Sequence, residues 1–156
     1  MATAYLALGS NLGDRRANLE AALAALRANT AVRVLAVSGF IETEPVGGPP
    51  GQGAYLNGAA AVGTDLEPHA LLAECKRIEK SLGRRDGPRW GPRIVDLDIL
   101  FYGALVLDTP DLTLPHPRLR ERRFVLEPLA AIAPDLVDPV TGLTVGELLA
   151  RLAQGL

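Results

Sequence analysis

Residues 89–102 read RWGPRIVDLDILFY, and the apolar half of that stretch, Ile94 to Tyr102, decides how the chain is organised. It has the density of β-branched and large apolar residues expected of an interior strand, yet it carries Asp96 and Asp98. Side chains alternate along a strand, so Val95, Leu97, Ile99 and Phe101 are predicted on one face and Asp96, Asp98, Leu100 and Tyr102 on the other. The two carboxylates then share a face with Cα atoms roughly 7 Å apart. Two readings stay open from spacing alone. The outer face of a half-exposed strand is simply acidic, or a hard divalent cation stands between the carboxylates, because Mg²⁺ takes one or two carboxylates and completes its shell with phosphates and water.

Working outward, the same strand is the last of a series. Thr3 to Leu8 reads as the first strand. Asp14 is placed to cap a helix over Arg15 to Ala28, whose Leu19, Leu23 and Leu26 recur at helical spacing. Val32 to Thr43 is β-branched and extended, with Ser38-Gly39 as the expected bulge. Glu44 to Ala54, EPVGGPPGQGA, is a loop by its glycine and proline content. Tyr55 to Gly63 forms the next strand, and Pro68 suits the first turn of a helix to Leu82 with Leu71, Cys75, Ile78 and Leu82 as its stripe and Gly83 as its stop. Arg84 to Pro92 is a second loop. The order β-α-β-β-α-β predicts an α+β, ferredoxin-like sandwich: an antiparallel sheet with two helices on one face. Beyond it, Leu105 to Leu107 and Leu112 to Leu114 suit a short hairpin, and Arg122 to Ala133 is partly helical. Val145 to Leu152 makes a last helix with Thr144 and Glu147 as a capping box. Residues 1–156 are expected to form a single domain.

Composition narrows the class. Of 156 residues 48% are apolar and 22% charged, and the net charge is −2, which argues against a general nucleic-acid or membrane binder. No apolar run approaches the ~20 residues of a membrane span. The one cysteine, Cys75, permits no internal disulfide, so a cytoplasmic protein is expected; it lies on the apolar side of its helix and reads as a buried thiol.

The basic residues are not spread evenly. Arg84, Arg85, Arg89 and Arg93 precede the acidic strand, and Arg118, Arg120, Arg122 and Arg123 follow it within one loop and turn. Forked guanidinium donors match phosphate oxygens. Beside a metal-binding acid pair they point to a polyphosphate substrate. His116, between two prolines, suits either a phosphate donor or a turn. Trp90, in a Gly/Pro-rich loop, suits a lid or stacking wall. Tyr55 and Asn57 share a strand face and would suit a flat heterocycle, or simply a packed tyrosine beside a turn amide. GSNLGD (residues 9–14) lacks the lysine and spacing of a phosphate loop and reads as strand, turn and cap.

Taken in order, YLALGSNLGD, YLNGA, RIEKSLGR, RWGPRIVDLDIL and LPHPRLRERRFVLEPL resemble the 6-hydroxymethyl-7,8-dihydropterin pyrophosphokinases of folate biosynthesis over nearly the whole chain. The resemblance implies the ferredoxin-like fold and a transferase acting on two small molecules, ATP and 6-hydroxymethyl-7,8-dihydropterin, as a monomer. The pterin hydroxymethyl oxygen would attack the β-phosphorus, and AMP would leave. Asp96 and Asp98 would hold two Mg²⁺ ions. Arg85 and Arg93 would stand with them at the reacting phosphates. Trp90, His116 and Arg122 match further ATP contacts, and Leu72, Glu79, Ile99 and Thr113 would line the nucleotide pocket. Tyr55 and Phe124 would sandwich the pterin, with Asn57, Trp90 and Asp96 beside it and Thr43 and Val46 touching it through the backbone. Lys76 stands where the family pattern leads one to expect glutamine.

Overall fold

Asp14 caps the first helix as expected, its carboxylate accepting from the Ala17 N–H at 3.1 Å. This computed structural model describes residues 1–43, 54–83 and 94–155. In chain order these are β1 (Ala2–Ser10), α1 (Arg15–Ala28), β2 (Val32–Val37), β3 (Ile41–Thr43), β4 (Tyr55–Thr64), α2 (Pro68–Ser81) and β5 (Asp96–Tyr102). A hairpin of β6 (Leu107–Asp108) and β7 (Thr113–Leu114) follows, then a 3-10 turn at Leu119–Glu121, α3 (Arg123–Ile132) and α4 (Val145–Ala153). The sheet runs β2-β4-β1-β5, with β3 also on β4, and every pairing in it is antiparallel. That is the strand order of the ferredoxin-like sandwich.

Helices α1 and α2 cover one face. Leu19, Leu23 and Leu26 of α1 and Leu71, Cys75 and Ile78 of α2 bury against Leu6, Leu8, Val62 and Leu97 of the sheet. The C-terminal elements cover part of the other face, where Leu126 and Leu129 of α3 and Val145 and Leu148 of α4 join Ala59, Leu100 and Phe101. The expected capping box of α4 forms, Thr144 and Glu147 each accepting from the other's backbone. Gly83 ends α2 at a φ of 111°, a conformation only glycine adopts without strain.

Two expectations about the strands are corrected. Val32 to Thr43 is not one strand with a bulge at Ser38-Gly39. It breaks between Val37 and Ile41, and the irregularity lies at Leu35, between the pairs Val34↔Val62 and Ala36↔Ala61. The break is stabilised by Ser38, whose N–H donates to the Ala59 carbonyl while its Oγ accepts from the Ala59 N–H at 2.8 Å. The alternation along β5 also fails past Ile99. Leu6 pairs with Ile99 but Tyr5 pairs with Phe101, so Leu100 is an extra, bulged residue. Val95, Leu97 and Ile99 face α1 and α2 as predicted, but Phe101 packs with Leu100 under α3 and Tyr102 packs against the α1–α2 side.

Candidate active site

The acidic pair leads to the site. Asp96 and Asp98 precede the bulge, so they share the face opposite α1 and α2, as the alternation predicted. Asp96 is half-buried and Asp98 exposed. Both line a cavity of about 600 Å³ on that face. Register places its floor: Gly9 of β1 lies between Asp96 on one side and Asn57 on the other.

One wall is the Tyr55–Asn57 pair of β4 with Thr43 of β3. Asn57 is buried, and its Nδ2 donates to Thr43 Oγ1 at 2.6 Å. Gly9 makes the room for this wall, since a Cβ there would sit 3.2 Å from Asn57 Oδ1. Arg15 ties β3 to the start of β4, its guanidinium donating to Glu42 Oε1 at 2.8 Å and to the Ala54 carbonyl at 2.9 Å.

The facing wall comes from the 3-10 turn and the start of α3. Arg118, Arg122, Arg123 and Phe124 line it, with Glu121 among them. The Arg122 guanidinium lies 5.7 Å from the Phe124 ring centroid, in cation–π range. α3 begins without a side-chain cap, and the positive end of its dipole adds to the positive character of this wall. The cavity therefore joins an aromatic and amide surface to a carboxylate pair and cationic donors.

Among the described arginines of the cluster, those at 118–123, not every one faces the cavity. Arg120 does not line the cavity. It forms a two-point ion pair with the fully buried Asp138, Nε to Oδ2 at 2.6 Å and an Nη to Oδ1 at 3.0 Å. Arg123 also pairs with Glu127 at 3.3 Å. Asp138, 18 residues downstream in sequence, was not identified from the sequence; the turn-forming DPVTG at 138–142 was its only local signal.

His116 is seated beside the pair by the bulge itself: its N–H donates to the carbonyl of Leu100 at 2.9 Å. Burial lowers its pKa below the ordinary value against the opposing pull of Asp98, and Arg122 and Arg118 add to the lowering. Nδ1 accepts from the Arg118 N–H at 3.2 Å. The neutral ring thus carries its proton on Nε2, free to donate.

His116 itself lies outside this cavity's lining, as do the expected nucleotide residues Leu72, Glu79, Ile99 and Thr113. Glu79 is buried and accepts from the Leu97 N–H at 2.8 Å, between the two aspartates, while Lys76 approaches it at 3.4 Å. Ile99 is buried in the α1–α2 core, against which Leu72 also packs, and Thr113 is on β7. Val46, Arg85, Trp90 and Arg93 lie outside the described residues.

The donor set suits Mg²⁺. Two hard oxygen ligands share a face, and Mg²⁺ takes one or two carboxylates and completes its shell with phosphate and water. A sandwich whose cavity combines such a pair with arginines and a flat aromatic wall defines a small-molecule enzyme of the phosphoryl-transfer class.

Comparison with known proteins gives the family. Residues 5–134 match the model of the 7,8-dihydro-6-hydroxymethylpterin-pyrophosphokinase family. A 2-amino-4-hydroxy-6-hydroxymethyldihydropteridine pyrophosphokinase of Methylorubrum extorquens is 49% identical over 97% of this chain and 94% of its own. The enzyme of that name from Bacillus subtilis is 46% identical over 88% and 82%. A solved HPPK-DHPS crystallised with substrates superposes with a TM-score of 0.78 at 13% identity, over 99% of this chain and 46% of that one, a likeness of fold. The Plasmodium falciparum HPPK-DHPS gives 0.72 at 15%, over 99% and 45%; this chain spans just under half of each. The chain belongs to the 7,8-dihydro-6-hydroxymethylpterin-pyrophosphokinase family.

Proposed function

We propose that the protein transfers the pyrophosphoryl group of ATP to the hydroxymethyl oxygen of 6-hydroxymethyl-7,8-dihydropterin, a step of folate biosynthesis. The observation that carries this reading is one cavity holding the Tyr55, Asn57 and Phe124 surfaces beside Asp96, Asp98 and Arg122. The pterin ring lies between Tyr55 and Phe124 with its polar edge on Asn57 and on the Thr43 backbone. Its hydroxymethyl oxygen attacks the β-phosphorus, the bond from that phosphorus to the α–β bridging oxygen breaks, and AMP leaves.

Catalysis is by positioning and charge. Asp96 and Asp98 would hold Mg²⁺, two ions in our reading, which would supply positive charge against the charge that develops on the phosphates. Arg122 and the Nε2–H of His116 meet phosphate oxygens. Asp96, the half-buried carboxylate, lies on the pterin side and is the nearest candidate to accept the hydroxyl proton, in a reaction that needs no dedicated base. Glu79, whose carboxylate grips the strand between the aspartates, is assigned to the nucleotide side with Leu72, Ile99 and Thr113 by the family resemblance alone, since none of them lines the cavity described above. The family resemblance adds Arg85, Trp90 and Arg93 to the ATP site and Val46 to the pterin site. No helix among the described residues is long and apolar enough to cross a membrane. We read the protein as a cytoplasmic monomer acting on small molecules without nucleic acid.

Incubation with MgATP and the pterin should yield AMP, with none formed when the pterin is omitted. Release of free pyrophosphate from ATP would instead mark a nucleotidyl transferase or cyclase. Asp98→Ala should retain the fold, because Asp98 is exposed, and lose turnover by orders of magnitude. Near-normal rates at saturating Mg²⁺ would overturn the metal assignment.

A further inference from the structure

We infer that Arg120 and Asp138 are positioning residues for the phosphate-binding arginines. The inference rests on the reading of Arg122 given above. Arg118 and Arg122 line the cavity from either end of the single 3-10 turn at Leu119–Glu121. That turn is poorly held by its own backbone: Leu119 N–H to His116 O is 3.4 Å, Glu121 to Arg118 is 3.2 Å and Arg122 to Leu119 is 3.3 Å. These lie at or beyond the long end of the ordinary N–H···O range. Leu119 fixes one side of the turn by complete burial. The opposite restraint is Arg120, which points away from the cavity into Asp138.

Asp138 is built to be an anchor. It is fully buried, and both of its oxygens are used twice. Oδ1 accepts from an Arg120 Nη and from the Val140 N–H at 2.9 Å; Oδ2 accepts from Arg120 Nε and from Thr141 Oγ1 at 2.9 Å. Four donors on two oxygens exhaust the strong acceptor sites of a carboxylate, so the anion has no second arrangement to adopt. Its main chain is pinned too, its N–H donating to the Leu143 carbonyl and its own carbonyl accepting from Gly142, both at 2.8 Å. The paired guanidinium and carboxylate planes fix orientation as well as distance. With Leu119 and Arg120 both held, the rotation of the turn is set, and with it the direction in which Arg118 and Arg122 leave the backbone. A clamp of this kind transmits through geometry, where a misplacement of about 1 Å costs up to ~100-fold in rate.

The test is a cycle of Arg120→Met, Arg122→Ala and the double variant, with kcat/KM for MgATP and the dissociation constant for the pterin measured well below each variant's Tm. Arg120→Met should lose about tenfold in kcat/KM for MgATP, within that geometric scale, and keep its pterin affinity. Its effect should vanish in the Arg122→Ala background. Asp138→Asn should reproduce Arg120→Met, and Arg120→Lys, which keeps the charge without the fork, should fall between; these two give the reading if Arg120→Met fails to fold. A lowered Tm with unchanged kcat/KM overturns the inference, because that is the signature of a purely structural pair. So does an undiminished Arg120 effect when Arg122 is absent. Arg122→Ala with unchanged kcat/KM overturns the phosphate role of Arg122 and the inference together, whereas a loss there with none in Arg120→Met overturns the inference alone.

Discussion

Gly9→Ala separates the pterin wall from the nucleotide wall. The new Cβ would lie 3.2 Å from Asn57 Oδ1 and 3.7 Å from Tyr55 Cδ1. The first contact is too close and calls for a shift of a few tenths of an ångström. Asn57 has little freedom to give it, being 7% exposed and tied to Thr43 Oγ1 at 2.6 Å. Overpacking of this sort costs about 1–3 kcal/mol, and the loss of glycine's freedom in the unfolded chain offsets about 0.4–1 kcal/mol. A net loss near 1 kcal/mol should lower Tm by roughly 2–4 °C. The displaced amide should also lose about one hydrogen bond's net worth, ~1 kcal/mol, in binding. That raises KM for the pterin about fivefold and leaves KM for MgATP unchanged. Steady-state kinetics with each substrate varied in turn, alongside a thermal melt, checks both numbers. A lowered Tm with unaltered pterin KM would refute the assignment of this wall to the pterin; unaltered values of both would refute the claim that the site needs a glycine here.

Two further outcomes follow from the buried ionisable groups. Burial works to raise the Asp138 pKa, but the bonds from Arg120, Val140 and Thr141 together outweigh it and hold the group below its ordinary value. The unfolded chain therefore binds more protons between the two values, so this stability is present above the unfolded pKa of ~3.9 and is lost as pH falls through the folded one. Denaturant titrations down the acid range should show a shallower pH slope for Asp138→Asn than for the wild type, and equal slopes would refute the argument. Burial, and then the charges of Glu79, Asp98 and Glu74, push the Cys75 thiol up to about 12. The native protein should resist thiol-specific reagents at pH 8 and react only on unfolding; labelling of the native fold within minutes would overturn that.

Elements governed by local chemistry were legible in the sequence. Arg15 to Ala28 was placed to the residue because Asp14 caps it, and α2 to within one residue of its end because Pro68 starts it and Gly83 stops it. The shared face of Asp96 and Asp98 followed from the period of a strand. What depends on partners was not legible. Nothing near Arg120 indicates that it turns away from the phosphates, since Asp138 reaches it through the packing of the C-terminal segment on the turn. The layer formed by α3 and α4 was likewise seen only as extra helices, because their apolar stripes do not say which sheet face they cover.

The bulge at Leu100 connects these two kinds of outcome. Under strict alternation Phe101 would join Val95, Leu97 and Ile99 beneath α1 and α2, and the opposite face of β5 would hold only Leu100 and Tyr102 beyond the aspartates. With one residue inserted, Leu100 and Phe101 both contribute to the α3–α4 core, which gives that layer a large aromatic anchor at 0% exposure. The same irregularity leaves the Leu100 carbonyl outside the ladder to β1, where it accepts the His116 N–H. One inserted residue thus lets the strand that presents two carboxylates to the cavity also secure the helix that carries Phe124 and seat the histidine beside Asp98. The aspartates reach that side of the sheet by the ordinary alternation of β5, and the departure at Leu100, two residues on, adds the packing and the histidine seat around them.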